Sequence, residues 1–524
     1  RISVSNNTRG QMIFQNLVSD YQLYKPVRYR SSDGSWHSTF ENAMISSKEH
    51  LSIDPAAILS LFSFGYICGD RTLVNEVKRQ PWLSSINQNG DPILLPIPDH
   101  NRYYQTASVI ANTLEQLLCE EILNVCKGRD YIYILLSGGL DSRITAGIFY
   151  KLIKQMRLDV NPVCVTWGIP NCRDVIYGKK VAELLDFEWI YIDLHSNDLL
   201  ENIKICSEKL GSTISPIHLH QLDWFKNVKE ASLVIASSYG DMVGRAVFSG
   251  MHILEQRLLT PQNAYGLFPE DIYQQALFNL NQDLNMLRER APSQPRYILC
   301  EHEMHCHYTR GLLAQAMTII NHHCTVYQVF TAPKVYQYMW SIHPSFRNDR
   351  VYEFLLNNLN PKLASIPWTL TNRPIKGRKK ESAEKFFPYF NKYDCWLSNE
   401  LFDGLSNEID NNWIEKIGLF SIDRINSLKR AVRYQKSDPR FIYAHEIFAW
   451  LVSFKYFLVY WEQLSKRIEY SAITQDSKPQ ISAYPVSTLR TRVRSIPFIY
   501  KYFKKLRRIL TKIFALIKYP PVKS

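Results

Sequence analysis

The chain has 524 residues, 46% of them apolar and 21% charged, an ordinary globular composition that excludes a disordered, collagenous or disulfide-scaffold protein. Its net charge of +13 comes from 62 Lys and Arg against 49 Asp and Glu, but residues 490–524 hold 11 basic side chains and no acid, which leaves 51 basic against 49 acidic in the rest. The body is nearly neutral, the excess belongs to a short tail, and no nucleic-acid partner is expected.

Ten cysteines are scattered without CxxC spacing, the pattern of reduced thiols in a cytoplasmic protein. No run reaches the roughly 18 apolar residues of a membrane span, and the nearest candidates, 57–69 and 448–461, read as buried core. No secretory signal opens the chain, which begins at Arg1 and not at Met, so a processed or incomplete N-terminus is expected.

In chain order, residues 1–45 are mixed polar and aromatic, with turn chemistry at 31–35. Short apolar runs at 59–67, 82–86 and 91–96 predict a small α+β piece ending in strands or a hairpin. Val109, Ile110, Leu114, Leu117, Leu118 and Ile122 have helical spacing and predict a helix over 106–126. Residues 130–245 then repeat a strand-then-helix theme: apolar runs at 131–136, 163–168, 189–194 and 232–236, with helical stretches at 143–156 and 174–185. Buried strands alternating with helices predict an α/β fold, a parallel sheet covered on both faces. Helical periodicity dominates 268–457, a basic loop is expected at 371–385, and a Ser, Gln and Pro-rich linker at 470–489 precedes the tail.

Ser137-Gly138-Gly139-Leu140-Asp141-Ser142-Arg143 falls between the first strand and its helix. Paired glycines let a backbone approach an anion, and the N–H groups at a helix start point toward it. Asp141 would repel a bare phosphate, so its natural partner is Mg²⁺ riding on phosphates. The GxxxxGK[ST] spacing is absent, which excludes the P-loop of NTPases. A plain βα turn of small residues is the alternative reading.

This motif resembles the SGGxDS signature of the PP-loop ATP pyrophosphatases, and Leu140 with Arg143 resembles the asparagine synthetase branch. Ser137, Gly138, Gly139, Asp141 and Ser142 match directly, and further matches extend the resemblance over about 55–375. Phe64-Gly65-Tyr66-x-x-Gly69-Asp70-Arg71-Thr72-Leu73 with Leu95-Pro96 is similar to the end of that family's glutaminase domain. The second strand, with Thr166 and Gly168, and then Asp174 and Ala182, resembles the part that frames adenine. Ser237-Ser238-Tyr239-Gly240-Asp241-Met242-Val243-Gly244 is similar to the second phosphate and Mg²⁺ motif, SGEGxDE. The paired acids of that motif are absent, Tyr239 and Met242 standing near where they would be, and Asp241 is the nearest acid.

The resemblance implies an adenine nucleotide alpha hydrolase-like, Rossmann-like fold with a mostly helical C-terminal half. It divides the chain into a degenerate glutaminase-like remnant (1–105), a synthetase domain (106–469), the linker (470–489) and the tail (490–524). Glutamine hydrolysis is not expected, because the family's nucleophile is a Cys at the mature N-terminus and the first cysteine here is Cys68. It further implies ATP and Mg²⁺ as cofactors, and an enzyme that adenylates an amino-acid-like carboxylate, releases pyrophosphate and passes the acyl group to ammonia or an amine. Asp141 and Asp241 would hold the metal, while Ser137, Gly138, Gly139, Leu140, Asp141, Ser142, Thr166, Gly168 and Gly240 would hold the nucleotide. Asp141, Asp241, Arg347, Arg350 and Lys376, with Arg373 beside them, are the candidates for orienting the acyl-adenylate and the leaving pyrophosphate. Solvated surface charge explains each of these basic residues individually as well. A PP-loop enzyme adenylating a tRNA base and a degenerate nucleotide-binding scaffold are the alternatives.

Glu301-His302-x-x-His305-Cys306-His307, followed by His322-His323-Cys324, has the ingredients of a zinc site, but its spacing fixes no fourth ligand and core or surface histidines are the other reading. In the tail, Ile499, Tyr502, Phe503, Leu506, Ile509, Leu510, Ile513, Phe514 and Ile517 share a helical stripe opposite Lys501, Lys504, Lys505, Arg508 and Lys512. That pattern suits the inner face of an anionic membrane, or a helix docked on the body or a partner. A homodimer is compatible with the sequence.

Overall fold

Five short strands organise the tertiary structure. The computed structural model describes residues 28–47, 51–97, 100–249, 258–291, 293–375, 386–438 and 440–464, and the backbone at 18–19 and 468–469. Strands β1 (Ile132–Leu135), β2 (Val163–Gly168), β3 (Glu188–Asp193), β4 (Leu233–Ala236) and β5 (Thr325–Gln328) form one parallel sheet in the order β3-β2-β1-β4-β5. Four of the five coincide within a residue or so with the apolar runs of the sequence. The fifth, Thr-Val-Tyr-Gln, was not expected: it is short and mixed, and forms because β4 offers it an open edge.

Side chains alternate across the strands, and the two faces feed two cores. Ile132, Ile134, Leu233, Ile235 and Tyr327 point into one, and Leu135, Val234, Ala236 and Val326 into the other. Parallel strands need crossovers, and these are helical. In chain order the elements that matter below are α1 (Pro55–Phe64), α2 (Ala107–Val125), α3 (Leu140–Lys154), α4 (Arg173–Leu185), α5 (Ser196–Leu210), α6 (Gly240–Arg245), α7 (Glu270–Glu289), α8 (Arg296–Glu303), α9 (Asp349–Leu359) and α10 (Ala444–Leu464). Helices α2, α3, α4 and α9 cover the first face, and α1, α5, α7 and α10 the second.

The N-terminal residues join this second core. Tyr29–Arg30 pairs antiparallel with Trp36–His37 and with Lys78–Arg79, and Ser84–Ile86 pairs with Pro92–Leu94. Phe40 meets Trp461 of α10 edge-on at 5.8 Å, and Phe62 of α1 meets Trp450 at 5.5 Å. The apolar run at 57–69 is therefore the buried end of α1 with the core turn after it, the run at 448–461 lies in the core helix α10, and among the described residues no helix is long and apolar enough to cross a membrane. All ten cysteines are free thiols, and only Cys395 is exposed. The linker and the tail, 470–524, lie outside the described residues.

Candidate functional site

Where strand order reverses in an open parallel sheet, the loops leaving the two neighbouring strands part and leave a crevice. The reversal here falls between β1 and β4, whose following loops are 136–139 and 237–239. A cavity of about 370 Å³ opens there, with Ser137, Gly139, Asp141 and Ser142 on one side and Ser237, Ser238 and Asp241 on the other.

The first loop is held in one shape by its own polar groups. Ser142 Oγ accepts the Ser137 N–H at 3.1 Å, Ser137 Oγ accepts the Gly139 N–H at 3.1 Å, and Asp174 Oδ1 of α4 accepts the Gly138 N–H at 3.1 Å. Arg143, fully buried, donates to the carbonyls of Gly138 (3.0 Å), Leu363 (3.1 Å), Ile366 (2.8 Å) and Pro367 (2.9 Å), clamping the loop to the segment that follows α9. Gly139 caps α3 with no side-chain bond to the helix, so the first-turn N–H groups and the positive end of the helix dipole border the cavity.

The second loop meets the first at Gly240. A Cβ there would overlap the Asp141 carboxylate, so only glycine allows α6 to begin this close to α3. Two carboxylates thereby share one crevice. Burial, opposed by Arg245, raises Asp141, and burial together with Asp141 pushes Asp241 up. Asp141 Oδ1 has no hydrogen-bond partner. Arg245 lies 3.8 Å from Asp141 Oδ2 and 3.1 Å from Asp349 Oδ1, flanked by the Tyr352 and Trp368 rings. A buried oxygen without a donor, next to a second buried carboxylate, fits a divalent cation.

The other end of the cavity is aromatic and apolar: Trp167 at the end of β2, Phe390, and Leu312 and Met317 from the successive helical segments Met304–Ala314 and Gln315–Asn321. His218 and His220 line the same end. His220 is pushed down to about 3 by burial and by His218, and its ring stacks on Tyr393.

The predicted site residues therefore divide. Ser137, Gly139, Asp141, Ser142 and Asp241 come together on the cavity, and Gly138 and Gly240 shape its loops. Leu140 is fully buried in the core beneath. Thr166 is also buried, donating to the Leu136 carbonyl at 2.7 Å and accepting the Trp189 indole N–H, and so joins β2 to the loop without facing the cavity. Gly168 accepts at its carbonyl from Tyr191, beside Trp167. Arg347 does not line the cavity: its side chain is 0% exposed and paired with Glu301 of α8, a structural position that corrects the expected contact with substrate. Arg350 and Arg373 are exposed and lie off the cavity, and Lys376 falls outside the described residues.

The histidine cluster is core. His302, His305 and His307 are buried, His100 stacks on Trp340 and on His302, and among the described residues no group of three His, Cys, Asp or Glu is placed to hold a metal. Periodicity did not single out Arg245, His218 or Phe390. Arg245 could have been found five residues after Gly240, whereas the other two reach the site only through the fold.

A stretch of 157 residues is 27% identical to a protein described as GMP synthase [glutamine-hydrolyzing] from Pyrobaculum aerophilum, covering 29% of this chain and 29% of that protein. The match thus spans less than a third of the relative's length. No family model matches the chain.

Proposed function

We propose that this protein is an ATP-dependent ligase of the asparagine synthetase type, which adenylates a carboxylate, releases pyrophosphate and transfers the acyl group to ammonia or another amine. The observation that carries the reading is the meeting of Asp141 and Asp241 above the uncapped start of α3, within one crevice at the strand-order reversal. The similarity to a GMP synthase supports the coarser statement, an ATP-using ligase, and leaves the carboxylate open.

In this reading the phosphates lie along Ser137, Gly139 and Ser142, where the serine hydroxyls and the first-turn N–H groups of α3 donate to them. Mg²⁺ would be held by Asp141 and Asp241 and would neutralise charge on the departing pyrophosphate. Arg245, already against Asp141, adds a fixed positive charge beside the reacting phosphates. Trp167 and Phe390 give the adenine or the acyl group an apolar wall that excludes water. Rate enhancement comes chiefly from holding carboxylate and α-phosphorus in line.

Incubation with ATP, Mg²⁺ and a panel of carboxylates tests this. AMP and pyrophosphate are expected, with loss of at least about 100-fold in Asp141→Asn, on the scale of removing one electrostatic group from such a site. Formation of ADP would overturn the assignment. A second reading, a nucleotide-binding scaffold, is favoured by Tyr239 and Met242, both buried where the motif carries acids. It predicts nucleotide binding with no AMP from any member of the panel.

A further inference from the structure

Ligation by way of an acyl-adenylate needs a base. An amine that attacks the acyl carbon becomes positively charged, and it must lose a proton for the amide to persist. The cavity offers five titratable side chains besides its hydroxyls: Asp141, Asp174, Asp241, His218 and His220. Asp141 and Asp241 stand at the phosphate end. Asp174 already accepts from the Gly138 N–H and from the Thr369 hydroxyl. His220 Nδ1 is engaged with the Tyr393 hydroxyl at 3.2 Å, inside a cage of Tyr393, Phe390 and Trp167 rings.

His218 is different. Its Nε2 lies 2.8 Å from Glu446 Oε1, and Nδ1 has no hydrogen bond among the described residues. The ring is 26% exposed and the carboxylate 14% exposed, so a ligand in the cavity can reach the imidazole, while the carboxylate behind it is shielded. A carboxylate at Nε2 selects the tautomer with the proton there, leaves the lone pair on Nδ1, and stabilises the imidazolium once Nδ1 is protonated.

Three separate parts of the chain are committed to holding this pair. The turn Pro216–His218 is pinned to α10 by Ser215 Oγ donating to the Glu446 carbonyl (2.9 Å), by Ser212 Oγ donating to the Ser453 carbonyl (3.0 Å), and by the Trp450 indole donating to the Ser212 carbonyl (2.7 Å). At the end of α1, Gly65 has φ +84°, and a Cβ there would stand 2.7 Å from Glu446 Oε1. The glycine leaves the carboxylate its seat. A chance surface pair of His and Glu would have neither this scaffolding nor a place in the same cavity as Asp141.

We propose that His218, held by Glu446, is the base that takes the proton from an amine acceptor as it attacks the acyl-adenylate in this cavity. The proposal rests on the adenylation reading above and adds the class of acceptor: ammonia or a primary amine. The amine nitrogen forms the C–N bond, and the C–O bond to phosphate breaks. AMP leaves with that electron pair, and the nitrogen's proton passes to Nδ1 of His218. Glu446 is a positioning residue.

The test uses the full chain and the carboxylate that supports AMP formation in the panel, with ammonium as acceptor. His218→Gln should cut amide formation by about 100-fold or more, the usual scale for losing a general base, while exchange of labelled pyrophosphate into ATP stays within about twofold. Hydroxylamine, largely unprotonated at neutral pH, should be spared most of the loss. Glu446→Gln should lower the amide rate less, through kcat with the KM for ammonium held within about twofold, and Glu446→Asp should restore part of it, a split that a merely structural role would not produce. Equal amide rates in wild type and His218→Gln would overturn the dyad and leave adenylation standing. Parallel loss of exchange and transfer would also overturn it. Absence of AMP from the wild type with every carboxylate would bring down the adenylation reading and the dyad together.

Discussion

Replacing Arg347 by Met separates a structural from a catalytic role for this residue. Arg347 Nη2 lies 2.8 Å from Glu301 Oε1 and 3.0 Å from Oε2, and both side chains are 0% exposed. The same guanidinium donates to Asn101 Oδ1 at 2.7 Å and to the Val243 carbonyl of α6 at 3.2 Å. Burial raises the Glu301 carboxyl, but Arg347 and His100 outweigh it and hold the group well below the usual carboxylate range. Removing the arginine leaves a carboxylate ionised in the core, a loss of about 3–5 kcal/mol in comparable buried pairs. Arg347→Met should therefore lower the stability measured by urea unfolding by about 4 kcal/mol. With Glu301→Gln added, no charge is stranded, and the double variant should recover about 2 kcal/mol of that loss, a coupling typical of residues in one network. Asp241 lies two residues before Val243, so activity should fall with Arg347→Met and return in part with the double variant. An Arg347→Met protein within about 1 kcal/mol of wild type would refute the structural assignment, since cutting this network cannot be neutral.

Gly240→Ala drives a methyl into the Asp141 carboxylate; it should cost about 1–3 kcal/mol of stability and weaken Mg²⁺–ATP binding at least about tenfold in calorimetry, because both loops must shift. Normal binding by this variant would mean that the two loops do not share a ligand. Burial holds His100 down to about 4 and His305 and His307 to about 3, against 6.5 in the unfolded chain. The unfolded state thus takes up protons first, and stability present above pH 6.5 should drain away as pH falls toward 4, by roughly 2 kcal/mol per histidine at pH 5. Urea midpoints unchanged between pH 7 and 5 would contradict this. Deleting 490–524 should abolish sedimentation with anionic vesicles while leaving adenylation intact, and persistent vesicle binding would remove the membrane role from the tail.

β1 and β4 were legible because burial from two sides leaves no alternation to confuse, and β2 and the half-buried edge strand β3 because their runs are rich in β-branched and aromatic residues. β5 escaped because Thr325 and Gln328 are polar and its pairing depends on a partner more than 90 residues earlier. Helix α3 starts at Leu140, three residues before its periodicity becomes visible, since the glycine turn delivers the chain directly into the first helical turn. Arg347 could be picked out by position as a charge near the site, but its sign carries no information about whether it faces substrate or Glu301. The histidines of α8 and of the helical segment Met304–Ala314 were ambiguous for the same reason: spacing along a helix does not reveal that Trp340 lies against His302 and His305, or Tyr336 against His305.

By itself the sequence determined the α/β class, the place of the Ser-Gly-Gly-Leu-Asp-Ser loop between strand and helix, and the separation of a basic tail from a neutral body. These are local properties, set by period, by glycine and by charge within a few residues. Only the tertiary structure decided that Asp241 faces Asp141, that Arg347 is spent inside, and that His218 finds Glu446 from 228 residues away. Such pairings depend on strand order and helix packing, which hydrophobic burial fixes over the whole chain and no short window of residues encodes.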